Sequence, residues 1–286
     1  MKKIVIIGLI SFLCVTLFAE NNVTVKKIMA TDSMFSTPES VNYDEAHKQL
    51  YVSNINREGN ENEKDNGYIS KISITGQIIE RDWITGLKGP KGADIYENKL
   101  LVTDIDRIVE INIDSGQVVN TYPCKDAKFL NDLIIDKNGT AYISDSSPEN
   151  SVIYSLENGQ LEKWLEGKEV KSPNGLYIHD GSLYFGNSGD NKLKKVNLET
   201  KEIETVAEVG FGIDGLRMNS KGDFILSDWQ GKTVLQKASG EQHVLINTSD
   251  KKINSADLEY LKASDLLFIP TFFDNRVFIY KVEYNK

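Results

Sequence analysis

Two carboxylates and two carboxamides recur at one position of a repeated phrase in this chain, and together they make an all-oxygen donor set. The residues are Glu39, Asn131, Asn174 and Asp214, carried by the phrases PESVNYD, LNDLIID, PNGLYIH and IDGLRMN. Two further phrases, KGADIY from Lys91 and SADLEYL from Ser255, place Gly92 and Ala256 at the same position. Two carboxylates gathered at one buried point repel each other, and the simplest neutraliser is a divalent cation. Carboxylate and amide oxygens are hard ligands, which suits Ca²⁺ or a similar ion and leaves coordination positions for water or a substrate. Gly92 and Ala256, being small, are read as leaving room for that substrate.

Chemistry at one point requires elements that bring six distant positions together. The six positions are separated by 53, 39, 43, 40 and 42 residues, close to the length of four short strands with their turns. Each phrase is followed by an apolar run such as LYVS, LLVT, AYIS or FILS, which ends in a second recurring position: Asn54, Asp104, Asp145, Asn187, Asp228 and Thr271. Side chains of this kind at a strand end bond the amides of the following turn, so this second set is assigned to structure. Third strands follow at 68–73, 107–112, 152–156, 192–197, 233–238 and 276–282, alternating or rich in β-branched residues.

This period predicts an all-β chain folded as a six-bladed β-propeller with four antiparallel strands per blade, whose innermost strands surround one axis. The sixth repeat ends after its third strand. The segment VTVKKIM, Val23 to Met29, is expected to supply the missing outer strand and close the circle without an open edge. The long first interval holds the polar run Arg57 to Gly67 (REGNENEKDNG), read as an insertion loop that is either simply solvated or a flap beside the site.

Composition narrows the partners. The chain has 286 residues, with 33 basic against 42 acidic and a pI near 5.0. That balance argues against nucleic acid and anionic membranes, which favour a basic face. The N-terminus reads as a signal peptide over residues 1–19: Lys2 and Lys3, an apolar stretch from Ile4 to Phe18, and Ala19 before the cut. Its 15 apolar residues fall short of the roughly 20 that span a bilayer. The expectation is an exported, periplasmic, monomeric protein comprising a single domain over 20–286, with a small-molecule substrate and no membrane association after cleavage. Only Cys124 then remains, so no intramolecular disulfide forms, and no base is placed to activate it.

Other chemistries find little support. His47 and His179 fall in turns between first and second strands, away from the candidate set, and His243 lies in an outer strand. No serine sits in a strand-to-helix elbow and no phosphate-cradling glycine loop is present. Phe129, Phe211, Trp229, Phe272 and Phe273 fall near the expected mouth and would suit an apolar or aromatic ligand.

The series PESVNYDEAHKQLYVSNI, LNDLIIDKNGTAYISDS, PNGLYIHDGSLYFGNS and IDGLRMNSKGDFILSDW resembles the regucalcin/gluconolactonase family (SMP-30/gluconolactonase/LRE-like), related to the paraoxonases and diisopropylfluorophosphatase. The resemblance covers the whole mature chain. It implies a Ca²⁺-dependent hydrolase of lactones or related esters, with Glu39, Asn131, Asn174 and Asp214 around the metal. It further implies catalytic roles for Asp214, as helper carboxylate or nucleophile, and for Asn131, in contact with metal and substrate oxygen. Sugar-lactone members carry an arginine two residues before the third-blade asparagine. Here that residue is Phe129, which argues against gluconolactone as substrate. Two alternatives stand beside the hydrolase: a non-catalytic propeller of the NHL type that binds a glycan, peptide or protein, and a propeller in which the cation only braces the axis. Asp132 is expected to bond neighbouring backbone.

Overall fold

A computed structural model describes residues 23–57 and 65–284. The expected signal peptide and most of the polar run after Arg57 lie outside the described residues.

Six four-stranded antiparallel sheets follow one another along the chain. Their inner strands are Pro38–Asp44, Pro90–Tyr96, Leu130–Ile135, Pro173–His179, Leu216–Met218 and Glu259–Leu261. The only helical pieces among the described residues are two short 3-10 turns, Ser249–Lys251 and Phe272–Asp274. The six-bladed propeller is therefore present, and it closes as expected. Val23–Ala30 pairs antiparallel with Val277–Tyr284, so the first strand completes the last blade. Thr31 fastens the junction twice, donating from its backbone N to the Val277 carbonyl at 3.0 Å and accepting from the Val277 N at its hydroxyl at 3.0 Å.

The apolar runs are continuous rather than alternating because both faces of a blade are covered by its neighbours. One cluster joins Tyr51, Ile69 and Leu87 of blade one to Leu100, Val102 and Ile111 of blade two. Another joins Val41, Leu50 and Val52 of blade one to Phe268, Val277 and Ile279 of blade six. Burial of this kind, repeated at every interface, is the main stabilising term. Tight turns use the residues their geometry demands. Asp180-Gly181, with φ of 46° and 70°, joins the inner strand of blade four to its second strand as a type I′ hairpin.

Hydroxyls and amides stitch each inner strand to the blade before it. Ser40 Oγ donates to the Lys91 carbonyl at 2.7 Å, Thr103 Oγ1 to that of Asn131 at 2.6 Å, and Ser146 Oγ to that of Pro173 at 2.7 Å. Ser188 Oγ donates to the Ile213 carbonyl at 3.2 Å and Ser227 Oγ to that of Ala256 at 2.8 Å. The Asp257 N closes the series on the Glu39 carbonyl at 2.9 Å. The backbone of every residue at the repeated position, or of its immediate neighbour, is thereby fixed from an adjacent blade.

Candidate metal centre at the axis

Strand register decides which residues are equivalent. Pro38 pairs with Asn54, Pro90 with Asp104, Leu130 with Asp145 and Pro173 with Asn187. The residue after each is therefore the repeated position, and in blade two that residue is Lys91. The expectation that Gly92 occupied it is corrected: Gly92 sits one place further along, where a Cβ would meet the Asp132 Cα at 2.6 Å. The six positions are Glu39, Lys91, Asn131, Asn174, Asp214 and Ala256. Ala256 leaves no room for substrate either, because it is fully buried and packs with Ile55 and Phe272.

Glu39, Asn131, Asn174 and Asp214 all line one cavity of roughly 360 Å³, together with Lys91, Arg57, Phe129, Ile213, Trp229 and Phe272. The second recurring set holds the loops leading into this cavity. Asp104 accepts from the Gly89 N at 2.7 Å, Asp145 from the Phe129 N at 3.0 Å, and Asn187 from the Lys171 N at 2.7 Å. Thr37, Ser172 and Phe272 near the cavity adopt left-handed φ of 47°, 46° and 50°, unfavourable for residues with a Cβ and most of all for a β-branched one. The Thr37 hydroxyl accepts from the Arg57 N at 3.1 Å, tying the chain before Glu39 to the start of the insertion.

The charge arrangement is specific. Lys91 Nζ lies 3.4 Å from Glu39 Oε1, with both side chains 5% exposed, and 4.6 Å from the Phe129 ring centre. Asn174 Nδ2 donates to Asp214 Oδ1 at 2.9 Å, while its Oδ1 accepts from the Gly175 N at 2.9 Å. Among the described residues Glu39 Oε2 is buried without a hydrogen-bond partner, and the Asn131 amide makes no hydrogen bond. Burial first, and then the nearby Glu39 charge, pushes the Asp214 carboxyl up to about 7. Burial also raises Glu39, opposed by Lys91.

Among the described residues no three His, Cys, Asp or Glu side chains gather as a metal cluster, so a cation here depends on asparagine oxygens beside the two carboxylates. The residues fit such an ion. A buried carboxylate oxygen without a donor is costly, and Glu39 Oε2, the Asn131 amide and Asp214 are the groups open to it. Asn174 is engaged in holding Asp214.

Several other expectations can be placed. Asp132 bonds backbone as anticipated, accepting from the Leu133 N at 2.7 Å and from the Leu176 N of the next blade. His47 bonds Asp44 and Asp114 in a turn, and His243 lies in the outer strand Gln242–Asn247. Of the mouth aromatics, Phe129, Trp229 and Phe272 line the cavity. Phe211 packs instead against the core between blades four and five, and Phe273 stacks edge-on against Trp229 and Phe272. Burial raises the Cys124 thiol, which suits a packing residue. Lys91 and Arg57 were not anticipated. The signal for Lys91 was Pro90, which matches Pro38 and Pro173 ahead of Glu39 and Asn174.

The chain matches no protein-family model and no curated protein, but many solved structures share its fold. A candidate gluconolactonase superposes with a TM-score of 0.67 at 17% identity, covering 93% of each chain. Regucalcin from Agrobacterium tumefaciens, a calcium-binding protein, gives 0.65 at 16%, covering 89% of this chain and 94% of its own. A streptogramin B lyase gives 0.67 at 13%, covering 91% and 98%. The chain thus has the propeller fold found in regucalcin and in gluconolactonase-type proteins.

Proposed function

We propose that this protein is an exported, divalent-cation-dependent hydrolase of lactones or related esters, acting in the axial cavity. One observation carries the reading: Glu39, whose buried Oε2 has no hydrogen-bond partner among the described residues, lines a cavity with Asn131 and Asp214, in a fold that also serves gluconolactonase-type proteins. Export rests on the leader over residues 1–19.

A divalent cation bound here, Ca²⁺ by the oxygen character of its ligands, would polarise a carbonyl or phosphoryl oxygen. The chain's own groups divide the remaining work. Asp214, buried at the axis and held by Asn174, can take a proton from an attacking water. Asn174 holds Asp214 Oδ1 and so orients the carboxylate. Asn131, uncommitted to other protein groups, can meet a substrate oxygen. Phe129, Trp229 and Phe272 shield the centre from water and receive an apolar group.

A panel of γ- and δ-lactones and aryl esters, run with Ca²⁺ and with chelator, tests the reading. Turnover should vanish with chelator and fall at least ~100-fold in Asp214→Asn. Chelator-insensitive turnover, or none across the panel, contradicts it. The second outcome would favour a binding propeller, for which the Lys91–Glu39 pair is the supporting observation, since it partly neutralises the centre from within the chain.

A further inference from the structure

The axial cavity contains a built-in cation. Lys91 occupies in blade two the register position that Glu39, Asn131, Asn174 and Asp214 occupy elsewhere. Its side chain is 5% exposed, and its ammonium group makes one polar contact, a long one at 3.4 Å, to Glu39 Oε1. An ammonium group has three donors, and one acceptor among the described residues leaves donor capacity on a residue that lines the cavity. The Phe129 ring lies on another side at 4.6 Å and attracts the charge without accepting a conventional hydrogen bond. A buried ammonium group held this sparsely is stabilised by any further acceptor that enters.

The surroundings define what that acceptor is attached to. Arg57 places a second positive side chain on the same cavity, so among the described lining residues two cations stand against the carboxyls of Glu39 and Asp214. Asn174 already donates to Asp214, which lowers that carboxylate's demand for other partners. The wall is aromatic: Phe129, Trp229 and Phe272, with Trp229 meeting Phe272 edge to face at 5.7 Å between ring centres. Such a wall offers almost nothing to the hydroxyls of a sugar and a good surface to a hydrocarbon or aromatic group.

We infer that Lys91 is the anion-binding residue of the axial cavity, and that its ligands carry a carboxylate joined to an apolar or aromatic group. The inference rests on reading this cavity as the substrate site, though not on hydrolysis or on a bound cation. It narrows the proposed substrates to lactones or esters bearing a free carboxylate.

Calorimetric titration with 3-phenylpropionate and its neutral counterpart 3-phenylpropionamide tests it without any need for turnover. Wild-type protein should bind the carboxylate at least tenfold more tightly than the amide. Lys91→Met should bring the two within about twofold of each other while amide binding persists, and Lys91→Arg should restore the preference. Lys91→Gln, which keeps a donor for Glu39, serves if the methionine variant fails to fold. Equal binding of the two probes by the wild type, binding of neither, or a preference that survives loss of the lysine overturns the inference. A preference that survives Lys91→Met but disappears with chelator would place the anion on a metal ion, refuting the role of Lys91 while supporting the cation-dependent reading. Hydrolysis is judged separately by the lactone and ester panel.

Discussion

Beyond the cavity, the inner strands carry a second level of buried charge. Arg217 Nε donates to Glu259 Oε1 at 3.2 Å, and its Nη1 lies 3.7 Å from Asp257 Oδ1. Asp94 accepts from the Ile95 N at 2.8 Å and from the Ile135 N of blade three at 2.7 Å. It thereby links two blades, as Asp132 does one blade further on. Burial nevertheless dominates those two amides and the Arg217 charge, and lifts the Asp94 carboxyl to about 6. The sign of the consequence is definite. The folded state holds this proton more tightly than the unfolded chain, so the contribution to stability is fully present below about pH 4 and is lost as pH rises through 6. The two-unit displacement corresponds to at most roughly 3 kcal/mol. Asp94→Asn should therefore flatten the fall in unfolding free energy between pH 4 and 7, measured by urea denaturation across that range. An unchanged slope would contradict the assignment.

The elements show how much of the molecule a sequence can disclose. The blades were legible because each repeat alternates turn residues with apolar runs, and the closing strand was legible because the last repeat lacked one. The cavity was less so. Its four oxygen-bearing residues could be found from the repeated phrase, but Lys91 was missed because the phrase in blade two was aligned one residue late, on Gly92. Register, fixed by the Pro90 to Asp104 pairing, settles the matter. Ala256 looked like open space because its cover, Phe272, arrives from a 3-10 turn after the second strand of the same blade, a packing relationship that no local pattern encodes. Closure makes its own prediction. Deleting residues 23–30 exposes the edge of Val277–Tyr284, and an unpaired edge of that length invites association. The truncated protein should lose at least about 10 °C in Tm, since each kcal/mol is worth roughly 2–4 °C at this size, and should scatter light on heating. An unaltered Tm would mean that closure contributes little.

At the scale of the whole molecule, six apolar interfaces closed into a circle position the candidate site. No single blade could hold Glu39 beside Lys91 from the next blade and opposite Asn174 and Asp214. The ring of stitched inner strands supplies that geometry. The central claim is that this arrangement exists to hold a cation between Glu39, Asn131 and Asp214. Titration calorimetry of metal-stripped protein with Ca²⁺ tests it most directly. The account predicts one site with a Kd of roughly 10⁻⁵ M or tighter, abolished by Glu39→Gln and by Asp214→Asn. Absence of binding to the wild type, or binding that both variants retain, would contradict it.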